Sequence, residues 1–117
     1  MYTYKAISLK QPWASLIADG TKTIETRKWK TNYRGDIVVC SSQHPKIEPW
    51  GKALCVIELY DIRPMTKEDQ VAACYELYDG AYSWLFKNVR VLQKPVPVKG
   101  QLNIFTLSLP QKLSFAG

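Results

Sequence analysis

Short strand-like stretches dominate the apolar pattern of this chain and exclude most other architectures. Ala53 to Ile62 is rich in β-branched and aromatic residues, and Phe105 to Leu109 alternates apolar with polar side chains, as strands do. The same signals predict further strands over Tyr4 to Ser8, Thr23 to Arg27, Gly35 to Ser41 and Tyr82 to Leu92. The chain is therefore expected to build its core mainly from a sheet.

Only two segments show helical spacing. Trp13, Leu16 and Ile17 lie three and four residues apart, which predicts a short helix from about Pro12 to Asp19. A capping-box-like start at Thr66 predicts a second helix that runs to about Tyr78. Five or six strands with two short helices do not form a βαβ series, so the predicted fold is a mainly β, small mixed β-barrel.

Proline and chain length bound the organisation further. Pro95 and Pro97 are expected to prevent regular pairing after the strand that starts at Tyr82. With 117 residues, the chain is predicted to be a single domain over residues 1–117. Hydrophobic residues at 46% and charged residues at 22% exclude intrinsic disorder.

Apolar runs and cysteines predict the cellular location of the protein and whether it holds a metal or a cofactor. No apolar run approaches the roughly 18 residues of a membrane span, and no signal peptide is apparent. Three scattered cysteines predict reduced thiols and a cytoplasmic protein. Cys40, Cys55, Cys74 and His44 lack a Cys-x-x-Cys pair, so neither a metal site nor a cofactor is predicted. The sequence does not determine the oligomeric state.

The net charge of +6 is distributed unevenly along the chain. Residues 1–57 and residues 80–117 each carry +5, whereas residues 58–79 carry −4. A basic body favours an anionic partner, with nucleic acid first. The alternative is a basic protein whose charge serves solubility alone.

The most basic stretch also contains aromatic residues. Residues 22–34 hold five cations against the single acid Glu25, with Trp29 and Tyr33 interleaved. Cations reach phosphates and aromatic faces stack on bases, so this mixture is typical of nucleic-acid binding, with Trp29 as a stacking candidate. On a strand, Glu25 and Arg27 share one face, where an ordinary surface ion pair is the alternative interpretation.

Two blocks of this sequence carry a more specific signal. The first is Ser8-Leu9-Lys10-Gln11-Pro12-Trp13-Ala14 followed by Gly20, Lys22, Glu25 and Arg27, which fit the pattern Gly-x-Lys-x-x-Glu-x-Arg. The second combines Tyr82-Ser83-Trp84 and Asn88-Val89-Arg90 with Pro95-Val96-Pro97-Val98-Lys99-Gly100. Together these blocks resemble the ASCH family of the PUA-like superfamily, and the resemblance extends from about Ile7 to Leu107.

The resemblance implies a PUA-like β-barrel that binds RNA or another nucleic acid, including a modified nucleotide, in a cleft beside the first helix. Lys22, Glu25 and Arg27 would line this cleft. The helix side would contribute Ser8, Lys10, Gln11 and Trp13. Since Lys22 and Glu25 are three residues apart, a regular strand would separate them, so either a turn or a bulge must bring Lys22 to the site.

The same resemblance implies an alternative, catalytic function. Some similar proteins hydrolyse the acetyl group of 4-acetylcytidine, using a lysine that activates a threonine three residues later and a glutamate on the next helix. Lys22 matches the lysine, whereas Glu25 occupies the threonine position. Lys22 and Glu25 are therefore the catalytic candidates of a small amidohydrolase, with Glu76 or Asp79 for the helix carboxylate, and a nuclease is a weaker option. A third alternative is a protein-interaction module that uses the acidic segment 66–78.

Overall fold

Six strands and two short helices make up the computed structural model, which describes residues 1–117. The strands are β1 (Tyr2–Leu9), β2 (Ile24–Arg27), β3 (Gly35–Ser41), β4 (Lys52–Pro64), β5 (Tyr82–Pro97) and β6 (Ile104–Leu109). The helices are α1 (Trp13–Ala18) and α2 (Gln70–Ala73), and a 3₁₀ turn (Lys67–Asp69) precedes α2. Neither helix has the length or the apolar character that crossing a bilayer requires.

The strands form one mixed sheet in the order β2-β5-β4-β3-β1-β6. The pair β1–β3 is parallel and the other four pairs are antiparallel. Three register shifts along β4 and β5 bend the sheet towards a barrel, although β2 and β6 each pair with a single neighbour. The predicted mainly β fold of five or six strands with two short helices is confirmed, although the sheet curves without closing into a barrel.

Alternation along the central strands directs side chains into two clusters. Ile7 and Val39 belong to the cluster that α1 covers with Ala14 and Ile17, and Trp84 is buried among them. The neighbouring residues in the strands face the other cluster, which contains Ala6, Val38, Cys40, Phe105 and Leu107. Burial on both sides fixes the register of β1, and with it the positions of Ser8 and Lys10 at its end.

The second helix is shorter than predicted. Its capped start is present, because the Thr66 N–H donates to the Asp69 carboxylate at 3.0 Å. The α-helix ends at Ala73 instead of about Tyr78, since Cys74 adopts a left-handed conformation with φ 53°. Tyr75 and Tyr78 consequently lie in an irregular segment outside the helix.

Pro95 and Pro97 do not end the strand, since β5 continues to Pro97, but the pairing around them is irregular, as predicted. The register jumps from Cys55 opposite Val91 to Ala53 opposite Val96, so Pro95 falls inside a bulge where no ladder hydrogen bond is needed. Pro97 pairs with Lys52 at the very end of the strand. Pairing therefore resumes long enough to place the following loop, residues 99–103, beside the end of β1.

Candidate functional site

A cleft of about 740 Å³ opens beside α1, at the end of β1 and the edge strand β2. Six residues of the predicted site line it: Ser8, Lys10, Trp13, Lys22, Glu25 and Arg27. Leu9 and Thr26 line it from the same strands, and other segments complete the lining with Ser42, Gln43, His44, Tyr75, Tyr78 and residues 99–103. Elements far apart in sequence thus meet around one concave surface.

Lys22 reaches the cleft from the turn between α1 and β2. Its backbone N–H donates to the Leu16 carbonyl at 3.0 Å, and the next N–H, that of Thr23, donates to Ala72 at 2.9 Å. Strand β2 begins only at Ile24, so the alternation rule does not apply to Lys22. Of the two alternatives left open by the spacing, the turn is correct.

The Lys22 side chain is buried at the bottom of the cleft, with 1% of its surface exposed. Its Nζ donates to the Ala73 carbonyl and lies 3.3 Å from Glu25 Oε1. Burial lowers the pKa of Lys22, because the ammonium loses hydration, while the Glu25 carboxylate partly offsets this effect.

Glu25 joins the lysine to the arginine. Its Oε2 lies 3.0 Å from Arg27 Nη2, and the same Nη2 donates to the Ser8 carbonyl at 3.4 Å. Lys22, Glu25 and Arg27 therefore form a continuous row of charges along one side of the cleft. The Arg27 Nε and the Ser8 hydroxyl are buried without any hydrogen-bond partner.

Three aromatic rings form a second wall. Trp13 meets Tyr75 edge-on with ring centroids 5.7 Å apart, and Tyr75 meets Tyr78 in the same way at 5.8 Å. Lys28 Nζ lies 5.9 Å from the centroid of the Tyr78 ring. The sequence prediction missed Tyr75 and Tyr78, because it placed both within a helix; the only available signal was their position near the candidate Glu76.

Two residues of the predicted binding set do not line the cleft. Gln11 is buried, and its side chain both accepts from the Ser15 N–H at 2.9 Å and donates to the Ser15 hydroxyl at 2.7 Å. Trp29 packs edge-on against Trp84 at 4.7 Å, and its carbonyl accepts from the Trp84 indole at 3.2 Å. These contacts support α1 and the core respectively.

The cleft is electropositive. Lys10, Lys22, Arg27 and Lys99 line it against the single carboxylate of Glu25. Lys10 and Lys99 are exposed, so they extend the positive charge towards solvent. A volume of this size falls within the usual range of small-molecule sites, roughly 300–1,000 Å³.

Fold and site together define a small mixed β domain with a basic, aromatic-lined cleft beside its first helix. Residues 7–96 match the ASCH domain. The chain therefore belongs to the ASCH domain family, as the sequence blocks predicted.

Two relatives match most of this chain at low sequence identity. Activating signal cointegrator 1 of Mus musculus and that of Homo sapiens are each 24% identical over 126 residues, an alignment that covers 86% of this chain. The chain spans about a fifth of those relatives, 22% of their length.

Solved structures agree on the fold. The crystal structure of ASCH from Zymomonas mobilis superposes with a TM-score of 0.61 at 17% identity, covering 80% of this chain and 72% of that one. A single-substitution variant of that protein gives a TM-score of 0.59 at 16% identity, covering 80% and 74%.

Proposed function

We propose that this ASCH domain binds single-stranded RNA by holding one nucleotide in the cleft. One observation carries the proposal: Lys22, Glu25 and Arg27 converge on a single hollow that three aromatic rings also line. A nucleotide offers an anionic phosphate, a base with a flat apolar face and a hydrogen-bonding edge. The cleft presents a complementary group for each of these features.

The exposed cations suit the phosphates. Lys10 and Lys99 stand at solvent-exposed positions of the lining, where contact with a backbone phosphate requires no burial of charge. The aromatic wall suits the base, because stacking on aromatic side chains contributes about 1–3 kcal/mol per base and tolerates any sequence. Glu25 and Arg27 remain for the base edge, where a carboxylate accepts and a guanidinium donates.

A salt-dependent titration tests the proposal. We expect a fluorescent single-stranded RNA to bind more weakly at about 200 mM than at about 50 mM salt, since binding releases counterions. The double variant Lys10→Ala, Lys99→Ala should lose about tenfold in affinity and roughly 1.4 units of the salt slope, about 0.7 for each phosphate contact. The matched control is Lys87→Ala, Lys94→Ala, which removes the same charge from exposed residues outside the cleft.

Two outcomes would contradict RNA binding in the cleft. One is the absence of any salt-sensitive binding. The other is equal loss of affinity in the cleft and control variants, which would assign binding to overall charge. The double variant Lys22→Ala, Arg27→Ala should weaken RNA binding more strongly than Lys10→Ala, Lys99→Ala does. Titration with DNA of the same sequence measures whether binding requires RNA.

A small amidohydrolase acting on an acylated nucleoside such as 4-acetylcytidine is the second candidate. The observation that favours it is the burial of Lys22 at the bottom of the cleft, which lowers the pKa of its ammonium in the direction that a general base requires. It ranks second because Lys22 Nζ contacts the Ala73 carbonyl and Glu25, and no hydroxyl. Release of acetate from 4-acetylcytidine, compared between the wild type and Lys22→Ala, tests it; no turnover at high protein concentration removes it.

The protein-interaction alternative has less support from the acidic segment. Asp69 is buried and bonded internally, which leaves Glu68 and Glu76 as the exposed acids of this segment. A pull-down that retains the same proteins after nuclease treatment would favour this alternative over RNA binding.

A further inference from the structure

Two polar atoms on neighbouring residues of the cleft have no hydrogen-bond partner. They are the Arg27 Nε and the Ser8 Oγ, and both are buried. The residues are in contact, since Arg27 Nη2 donates to the Ser8 carbonyl at 3.4 Å. Buried polar groups are nearly always satisfied, so an unpaired donor and an unpaired hydroxyl on two residues in contact indicate a missing ligand atom.

A loop without hydrogen bonds covers the Ser8 hydroxyl. Residues 99–103 make no backbone or side-chain hydrogen bond to the rest of the protein. Gly100 lies so close that a Cβ there would stand 2.4 Å from Ser8 Oγ. Leu102, in the same loop, is 89% exposed. Few interactions oppose displacement of this loop, so a ligand can reach the hydroxyl when it moves.

The chemistry of the two atoms restricts the ligand atom. Arg27 Nε–H can only donate, so its partner must be an acceptor. The Ser8 hydroxyl can donate to the same atom if that atom has two lone pairs. A carbonyl oxygen has two, whereas a ring nitrogen has one in the plane of the base.

Glu25 restricts the ligand atom that lies next to this acceptor. Its carboxylate lies 3.0 Å from Arg27 Nη2, and Nε belongs to the same planar guanidinium. The Arg27 charge is therefore already compensated by this carboxylate, so a neutral carbonyl oxygen can accept from Nε–H without leaving a charge unpaired. The same carboxylate accepts readily from an N–H adjacent to the carbonyl.

We propose that the cleft selects bases that present a carbonyl oxygen next to a ring N–H, as guanine and uracil do, over adenine and cytosine. Ser8 and Arg27 donate to the carbonyl oxygen, and Glu25 accepts from the ring N–H. This inference rests on the proposed nucleotide binding and adds the identity of the base class.

Binding of nucleoside 5′-monophosphates tests this preference. Calorimetric or NMR titrations with the four common ribonucleotides should give guanosine and uridine monophosphate about tenfold tighter affinity than the other two. Inosine monophosphate, which keeps the carbonyl and the ring N–H but lacks the 2-amino group, should bind like guanosine monophosphate. Methylation at the ring N–H, as in 1-methylguanosine or 3-methyluridine monophosphate, should abolish the preference.

Two variants assign the preference to these residues. Ser8→Ala removes a hydroxyl that no protein group uses, so the fold should be retained while the preference falls several-fold. Arg27→Lys keeps the positive charge but removes the Nε–H, so salt dependence should remain while the preference is lost. Ser108→Ala, at an exposed position of β6, is the matched control and should change neither.

The outcomes separate the two proposals. Equal affinity for all four nucleotides, together with salt-dependent RNA binding, would overturn the base preference and leave the proposed function intact. Absence of binding by every nucleotide and by RNA would overturn the proposed function itself. A preference that survives in both Ser8→Ala and Arg27→Lys would overturn the assignment to these side chains.

Discussion

Two clusters in this protein pair an arginine with a carboxylate and a serine, and they differ in how completely their polar groups are satisfied. The Asp69 cluster consists of Arg63, Thr66, Asp69 and Ser83. Asp69 accepts two bonds from Arg63 at 2.7 and 2.8 Å, one from the Thr66 N–H at 3.0 Å and one from the Ser83 hydroxyl at 2.8 Å. Every group at its centre has a partner.

The cleft cluster consists of Ser8, Lys22, Glu25 and Arg27. Its carboxylate is paired on both sides, yet its serine hydroxyl and its arginine Nε have no partner. The same residue types therefore serve two purposes. Complete satisfaction, as around Asp69, fixes the start of α2 against β4 and β5, whereas incomplete satisfaction in a concave site leaves groups for a ligand.

The largest expected effect of a substitution lies in the Asp69 cluster. Asp69→Ala removes the capping carboxylate and leaves the Ser83 hydroxyl buried without a partner, so we expect a loss of about 3 kcal/mol in the free energy of unfolding. Urea denaturation followed by circular dichroism measures it. Glu68→Ala, in the same turn but exposed, should change stability by less than about 0.5 kcal/mol. A similar loss in both variants would contradict the structural role of the cluster.

Acid should weaken the same cluster. The Arg63 guanidinium holds the pKa of Asp69 far below its usual range, with help from the Thr66 N–H and the Ser83 hydroxyl. The carboxylate thus stabilises the fold above the ordinary aspartate pKa of about 3.9, and this stability is lost as pH falls further. In acid titrations, the stability advantage of the wild type over Asp69→Ala should shrink below about pH 4. An advantage that is constant with pH would contradict this origin.

Much of this architecture follows from local sequence. Alternation, apolar runs and β-branched content predicted the strands, and the spacing of Trp13, Leu16 and Ile17 predicted α1 to within one residue at each end. The length of α2 was not predictable, because Cys74 is an unusual residue for a left-handed helix end. The continuation of β5 through Pro95 depends on a bulge opposite β4, which is set by tertiary pairing.

Only the part of the cleft lined by residues 8–27 was predictable from the sequence. The motif around Lys22, Glu25 and Arg27 indicated three lining residues, and neighbouring positions indicated Ser8, Lys10 and Trp13. Tyr75, Tyr78 and residues 99–103 reach the cleft because the strand order carries their segments there, and no local pattern encodes that order. Whether a serine hydroxyl lacks a partner likewise depends on every element around it.

An intermediate effect is expected when the cleft cluster loses its carboxylate charge. Glu25→Gln leaves the buried Lys22 ammonium without a counter-charge, which should cost about 1–2 kcal/mol at neutral pH. Without the carboxylate that offsets burial, the Lys22 pKa falls further below that of the unfolded chain, so the stability of the variant rises as pH increases through the folded pKa. Denaturation at neutral and alkaline pH should show the deficit of Glu25→Gln narrowing with increasing pH.

The exposed Glu76 provides the matched control for that experiment. Glu76→Gln should leave stability within about 0.5 kcal/mol of the wild type at both pH values. A deficit of Glu25→Gln that grows with pH would mean that Lys22 does not depend on the glutamate for its charge.

The smallest expected change in stability comes from a serine-to-alanine substitution. Because this substitution can be made in both clusters, it compares them directly. Ser83→Ala removes a hydrogen bond to a buried carboxylate and should cost about 1–2 kcal/mol. Ser8→Ala removes a hydroxyl that is buried and unpaired, so stability should change by less than about 0.5 kcal/mol or increase slightly. Paired urea titrations measure both values. Equal destabilisation by the two variants would mean that the Ser8 hydroxyl already has a partner in the free protein, and the cleft cluster would then be as closed as the Asp69 cluster.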